Sequence, residues 1–190
     1  MKKLILLIYI FTLNCPLFAQ QGHMSFLGIP VDGKIEVFNQ KIVAKGFKPD
    51  VSHNAQKASP YWYTGYFAGY SCDVYVHFSK HSRTVYDVSI AIDDYNSALN
   101  RTKLNNFVKA VKMKYKGKYF LDADVDEDDY TFSMKRYIKD ERYDEDRVLG
   151  EIRLYLSDGS GYTDKNNSLW IIFEDNINYK KYKKEDDLDL

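Results

Sequence analysis

Cysteine is nearly absent from this chain. Of its 190 residues only Cys15 and Cys72 are cysteines. Cys15 falls in a segment that reads as a cleaved leader, so the mature chain keeps Cys72 alone and cannot form an internal disulfide. Its stability must come from packing. Cys72 adjoins an apolar alternation starting at Val74 and reads as a small buried hydrophobe. An excess of one charge is missing too, since 27 Lys and Arg balance 27 Asp and Glu. That balance argues against the basic stripe with which a nucleic-acid binder neutralises phosphates. No Lys/Arg-rich amphipathic helix marks a membrane-surface protein. Serines are plentiful, yet none sits in a Gly-x-Ser-x-Gly elbow. The histidines at 23, 53, 77 and 81 lack zinc-ligand spacing, and His77 and His81 read as a surface pair straddling a strand end and a turn. The sequence therefore offers no catalytic residue, no metal ligand set and no cofactor motif.

What is present begins at the N-terminus. Lys2 and Lys3 precede an apolar run from Leu4 to Leu13, and Leu17-Phe18-Ala19 supplies a cleavage site before Gln20-Gln21. A charged start, a short apolar run and a small residue at the cut are what signal peptidase reads. The run is about half the roughly 20 residues that a membrane-spanning helix needs. Residues 1–19 are accordingly expected to be a signal peptide, with export to the periplasm or beyond and no membrane span after cleavage. The alternative is a lipid anchor on Cys15, against which stand the bulky Asn14 before it and Pro16 after it. Cleavage leaves about 170 residues, within the range of one domain or two fused halves.

Hydrophobic periodicity divides the remainder in two. In 20–95, Ile35, Phe38 and Ile42 recur at helical spacing after a cap at Asp32 or Gly33, and Gly46 stops the helix. Lys48 to Ser59 reads as loop. Three strands follow: Tyr61 to Tyr70 with a bulge or bend at its glycines, then Val74, Val76 and Phe78 against Asp73, Tyr75 and His77. The third sets Tyr86, Val88, Ile90 and Ile92 against Asp87 and Ser89, after a short connection at Lys80–Arg83. In 96–178, Leu104, Phe107, Val108, Val111 and Tyr115 form a helical stripe closed by Gly117. Asp122 to Asp129 reads as a solvated acidic loop. Its alternate carboxylates match the start of a Ca²⁺ loop, but Glu127 replaces the turn glycine and Ser133 the closing glutamate. Three more strands centre on Phe132 and Met134, on Ile152, Leu154 and Leu156, and on Leu169–Phe173, the last apolar on both sides and so central. The charged tail, 179–190, reads as a frayed helix or disordered. The expected fold is α+β: two helix-plus-three-strand units forming one antiparallel sheet with both helices on one face.

That tandem order resembles the architecture of the β-lactamase inhibitory protein, a secreted binder whose recognition surface is carried on a sheet. The resemblance implies an inhibitor-like role and transfers no functional residue. Separately, Phe26-Leu27-Gly28-Ile29-Pro30, Ala44-Lys45-Gly46-Phe47, Gly65-Tyr66-Phe67-Ala68-Gly69-Tyr70 and Gly150-Glu151-Ile152 are similar to small exported proteins of Bacteroides-like bacteria. That second resemblance brings no activity with it.

Aromatics are in excess, with 17 Tyr, 11 Phe and 2 Trp. Most belong to core and cross-strand packing. Alternation, however, puts Tyr75 and His77 beside Asp73, and Tyr155 beside Glu151 and Arg153, on the polar sides of their strands. Tyr and Arg among polar groups suit an interface. Tyr75, His77, Arg153 and Tyr155 are therefore the candidate binding residues, with Trp62 and Tyr63 as additions. Asp93-Asp94 and Glu174-Asp175 could in principle act as hydrolytic carboxylates, but acids at strand ends are usually solvated turn formers. The expected function is an exported, non-catalytic binding or inhibitor-like module using the open face of its sheet, its partner a protein or glycan of the envelope. The alternatives are an envelope-polymer hydrolase and a structural or assembly protein of the envelope.

Overall fold

The computed structural model describes residues 23–93, 97–115, 120–126, 131–140, 145–157 and 168–187. The segment expected as a leader, with Cys15, and Asp94, Gly117 and the end of the acidic run at Glu127–Asp129 lie outside them. Two tight turns shape the first half. Leu27 (φ 50°) and Gly28 (φ 79°) join β1 (Ser25–Phe26) to β2 (Ile29–Pro30). Ala68 (φ 50°) and Gly69 (φ 89°) join β4 (Tyr61–Phe67) to β5 (Tyr70–Phe78). Paired left-handed residues match the twist of the strands they connect. The second turn corrects the expectation of one strand from Tyr61 to Tyr70, since the chain reverses at Ala68. Gly65 is no bend: it pairs in register with Cys72, and a Cβ there would come within 2.5 Å of the Phe47 ring.

Helix α1 (Ile35–Ala44) has Lys34 at its N-cap without a side-chain cap, so neither Asp32 nor Gly33 fills the expected role. Gly46 (φ 93°) follows its end as expected. The stretch expected as loop contains β3 (Lys48–Pro49) and α2 (Val51–Asn54). Asp50 caps α2 by accepting the His53 N–H at 3.0 Å. Asn54 then behaves like a neighbouring strand. Its Nδ2 donates to the Trp62 carbonyl at 3.0 Å and its Oδ1 accepts the Trp62 N–H at 2.8 Å. With β3 beside it, this pairing closes part of the β4 edge, which unpaired backbone would leave open to other chains.

The later elements are β6 (Val85–Asp93), α3 (Ser97–Tyr115), β7 (Phe120–Asp126), β8 (Thr131–Asp140), β9 (Glu145–Leu156), β10 (Ser168–Asp175) and α4 (Asn176–Asp187). Eight strands, seven long ones and the short β3, form one sheet in the order β3-β4-β5-β6-β10-β9-β8-β7. Every pairing in it is antiparallel. Four strands thus follow α3, not three. The extra one, β7, occupies the start of the expected acidic loop. Asp density disfavours strands, but Leu121, Ala123 and Val125 alternate with the acids, and that period suits a half-wet edge. β10 is central, as its two-sided apolarity predicts. A register shift beside His77 sets Val85, in place of Tyr86, opposite Phe78.

One core unites these elements. Cys72, Val74, Val76 and Phe78 of β5, Val88, Ile90 and Ile92 of β6, Ile152 and Leu154 of β9, and Leu169, Ile171 and Phe173 of β10 are buried in it. So are Ile35, Phe38 and Ile42 of α1 and Leu104 and Phe107 of α3. The β1–β2 hairpin drives Phe26 into the middle, where it is 0% exposed against the rings of Phe47, Phe67 and Phe173. Cys72 is buried as expected, and burial pushes its thiol up to about 12. The C-terminal stretch, expected as a frayed helix or disordered, is helical from Asn176 to Asp187. Asn178 ties α4 down, its N–H donating to Asp175 and its amide to the Val31 and Val85 carbonyls. No helix among the described residues is long and apolar enough to cross a membrane.

Candidate binding face of the sheet

Strand alternation gives the sheet two sides, and the helices mark one of them. Tyr63 of β4 donates its hydroxyl to Asn39 of α1 at 3.2 Å, and Phe67 of the same strand stacks on Phe107 of α3. The other side carries Trp62, Thr64 and Tyr66 of β4, Tyr75 and His77 of β5, Asp87, Ser89 and Ala91 of β6, Trp170, Ile172 and Glu174 of β10, and Glu151, Arg153 and Tyr155 of β9. Register aligns them in rows across the strands. Trp62, Tyr75, Ser89, Ile172, Arg153 and Ser133 make one row. Thr64, Asp73, Ala91, Trp170 and Tyr155 make the next. His77, Asp87, Glu174, Glu151 and Lys135 make a charged third.

A chain of ring contacts runs over the first two rows. His53 of α2 stacks on Trp62 at 3.9 Å, Trp62 meets Tyr75 edge-on at 5.6 Å, Tyr75 stacks with Trp170 at 5.5 Å, and Trp170 with Tyr155 at 6.3 Å. Tyr75 and Trp170 are not on neighbouring strands. Two strand spacings, about 9.5 Å, separate β5 from β10. Their rings meet because, in these two rows, β6 between them presents only Ser89 and Ala91 on this side. Small residues on the middle strand thus let rings from the two ends of the chain touch. Offset and edge-to-face pairs of this kind are favoured by the ring quadrupoles.

At the charged end, Arg153 pairs with Glu174 at 2.9 Å. The Asp87 carboxylate accepts the Ser89 hydroxyl at 2.7 Å and lies 3.8 Å from His77 Nε2. Burial pushes the Asp87 carboxyl above the usual aspartate range, against the pull of His77, the Ser89 hydrogen bond and Arg153. The Nε–H of Arg153 and the indole N–H of Trp170 are both buried without an acceptor. Trp62 and Tyr66 are the exposed rings, at 40% and 75%.

Of the residues singled out from sequence, Trp62, Tyr75, His77, Arg153 and Tyr155 come together on this side. Tyr63 does not: one step from Trp62 in a strand, it points the other way and is 1% exposed in the core. The pair at the end of β10 is also corrected, since Glu174 and Asp175 are buried and not solvated. Asp175 anchors the N-terminal segment, accepting from the Met24 N–H at 2.8 Å and lying 3.0 Å from His23 Nδ1. Of Asp93 only the backbone is described. Sequence reasoning missed Trp170 and His53. Trp170 was hidden inside an apolar run, although its alternation with Ile172 and Glu174 was the available signal. His53 reaches Trp62 only through the tertiary fold. Among the described residues no group of His, Cys, Asp and Glu is arranged to hold a metal ion. Comparison with protein-family models, curated proteins and solved structures gives no match to this chain.

Proposed function

We propose that this protein is an exported, non-catalytic binding module, inhibitor-like in its use of a surface, and that the ringed side of the sheet recognises a protein or glycan of the cell envelope. In this reading the chain is two helix-plus-strand units sharing one sheet, with α1 and α3 on one face and the other face left for a partner. The contacts of Tyr63 with α1 and of Phe67 with α3, both from the same side of β4, support that arrangement. The observation that carries the function is the run of rings from Trp62 to Tyr155, assembled from both ends of the sequence on the side away from those helices. Trp, Tyr and Arg are the residues in which binding energy concentrates. Two buried donors without acceptors add to the case, because each costs about 1–3 kcal/mol until something satisfies it.

The hydrolase alternative draws on one observation, the direct opposition of Asp87 and Glu174 across β6 and β10. Both carboxylates are engaged, by Ser89 and by Arg153, and their side chains are only 10% and 11% exposed. They hold the face together better than they could reach a substrate.

The test is binding against folding. With a partner recovered from envelope extract, Tyr155→Ala and Arg153→Ala should each cost above roughly 2 kcal/mol of affinity; Tyr155→Ala should leave the melting temperature nearly unchanged, whereas Arg153→Ala also leaves the buried Glu174 without its cation and should lower it. Normal binding by both variants would end the proposal.

A further inference from the structure

We infer that α2 is a clasp, closed by Asn54, that fixes Trp62 of the proposed binding face in one pose before any partner arrives. The inference rests on that face for its purpose, while the clasp itself is tested without a partner. Trp62 is where such a device is needed. It lies on β4, one short strand from the end of the sheet, and among the described residues β3 pairs only with Tyr63 and Thr64 of that strand. Toward β5 the indole meets the Tyr75 ring edge-on at 5.6 Å. Toward the sheet edge no strand residue is paired with it. A large ring so placed would keep rotamer freedom that a partner must later remove.

α2 fills that place. Its His53 stacks on the indole with ring centres 3.9 Å apart and planes 16° from parallel. The core does not hold this helix, since none of its residues is buried. The backbone of Trp62 does. The Trp62 carbonyl accepts the Asp50 N–H at 2.9 Å and the Asn54 amide at 3.0 Å, and the Trp62 N–H donates to Asn54 Oδ1 at 2.8 Å. Asn54 therefore ties α2 to the same residue whose ring His53 covers. Asp50 sets the other end, its carboxylate accepting the His53 N–H at 3.0 Å and the Ser52 hydroxyl at 2.7 Å. Those bonds hold the Asp50 carboxyl below the usual aspartate range. A single helical turn has no stability of its own, so these side-chain bonds decide whether it stays closed. With His53 in place Trp62 is still 40% exposed. The clasp thus steadies the ring without hiding it, and a ring already ordered loses less freedom when a partner docks.

The chain has 2 tryptophans, so Trp170→Phe leaves Trp62 as the sole indole, and acrylamide quenching of its emission reads how well the ring is covered. In that background Asn54→Ala should raise the quenching constant roughly twofold, as α2 opens locally, and should lower the emission anisotropy as the ring gains motion. Asn54→Asp keeps the Oδ1 acceptor and loses the amide donor, so it should fall between the two. His53→Ala should raise quenching with Asn54 intact, because it strips the cover itself. Each variant should still melt cooperatively, since no core contact is touched. Where Trp170→Phe does not fold, the indole N–H resonance of Trp62 in the otherwise native chain carries the same comparison. A mere cover of the sheet edge would move the melting temperature and leave the ring's mobility alone. Unchanged quenching and anisotropy in a folded Asn54→Ala protein would overturn the inference, and so would a response to His53→Ala alone. Either result removes the clasp and leaves the binding face standing, whereas normal binding by Tyr155→Ala and Arg153→Ala removes the face and leaves the clasp.

Discussion

Ser89 and Ala91 are the residues of β6 that lie beneath the Tyr75–Trp170 contact. A larger side chain at either would part the rings, because the stack depends on an empty corridor above the middle strand. Beside them Asp87 spends stability for position. Its carboxyl is buried and its proton affinity raised by that burial, so the folded state holds the proton more tightly than the unfolded chain. Stability from such a group is fully present below the unfolded aspartate range, about 4, and is lost as pH rises through the folded value. Asp87→Asn keeps the shape without the charge. Melting curves from about pH 4 to 7 should therefore show the variant gaining on the native protein as pH rises. A variant that instead loses ground toward neutrality would mean that attraction to His77 and Arg153 outweighs burial.

At the scale of elements, α3 is the clearest case of a helix set by its pattern. Leu104 and Phe107 are buried, and Phe107 lies against the rings of Phe67 and Tyr70 at 5.8 Å each. Phe107→Ala should cost about 3–5 kcal/mol of stability in denaturant unfolding, and Lys109→Ala, exposed on the same helix, should stay within about 0.5 kcal/mol. An unchanged midpoint for Phe107→Ala would remove α3 from the core. The same periodicities made α1, α3 and the strands β5, β6, β8, β9 and β10 legible in advance. The turn at Ala68 was not, because an alanine with positive φ carries no signal and only Gly69 hints at it. β7 was hidden by its aspartates, which look like solvated loop until a neighbouring strand is known to pair with them. The candidate binding face was legible where polar residues alternate with rings, at Tyr75, His77, Arg153 and Tyr155. It was illegible where apolar residues occupy both sides, at Trp170, and where facing depends on a turn not yet placed, at Trp62 and Tyr63.

For the whole molecule, the sheet order puts β6 beside β10 and so makes the two ends of the sequence share one surface. The most direct measurement is photo-crosslinking in cells producing the protein, with a benzophenone side chain placed at Thr64 on the ringed face or at Lys109 on α3. Both positions are exposed. The account predicts adducts from Thr64 that disappear when Tyr155 and Trp170 are both replaced by Ala in a protein that still folds, and none from Lys109. Adducts from Lys109 alone, or Thr64 adducts indifferent to loss of the rings, would contradict it.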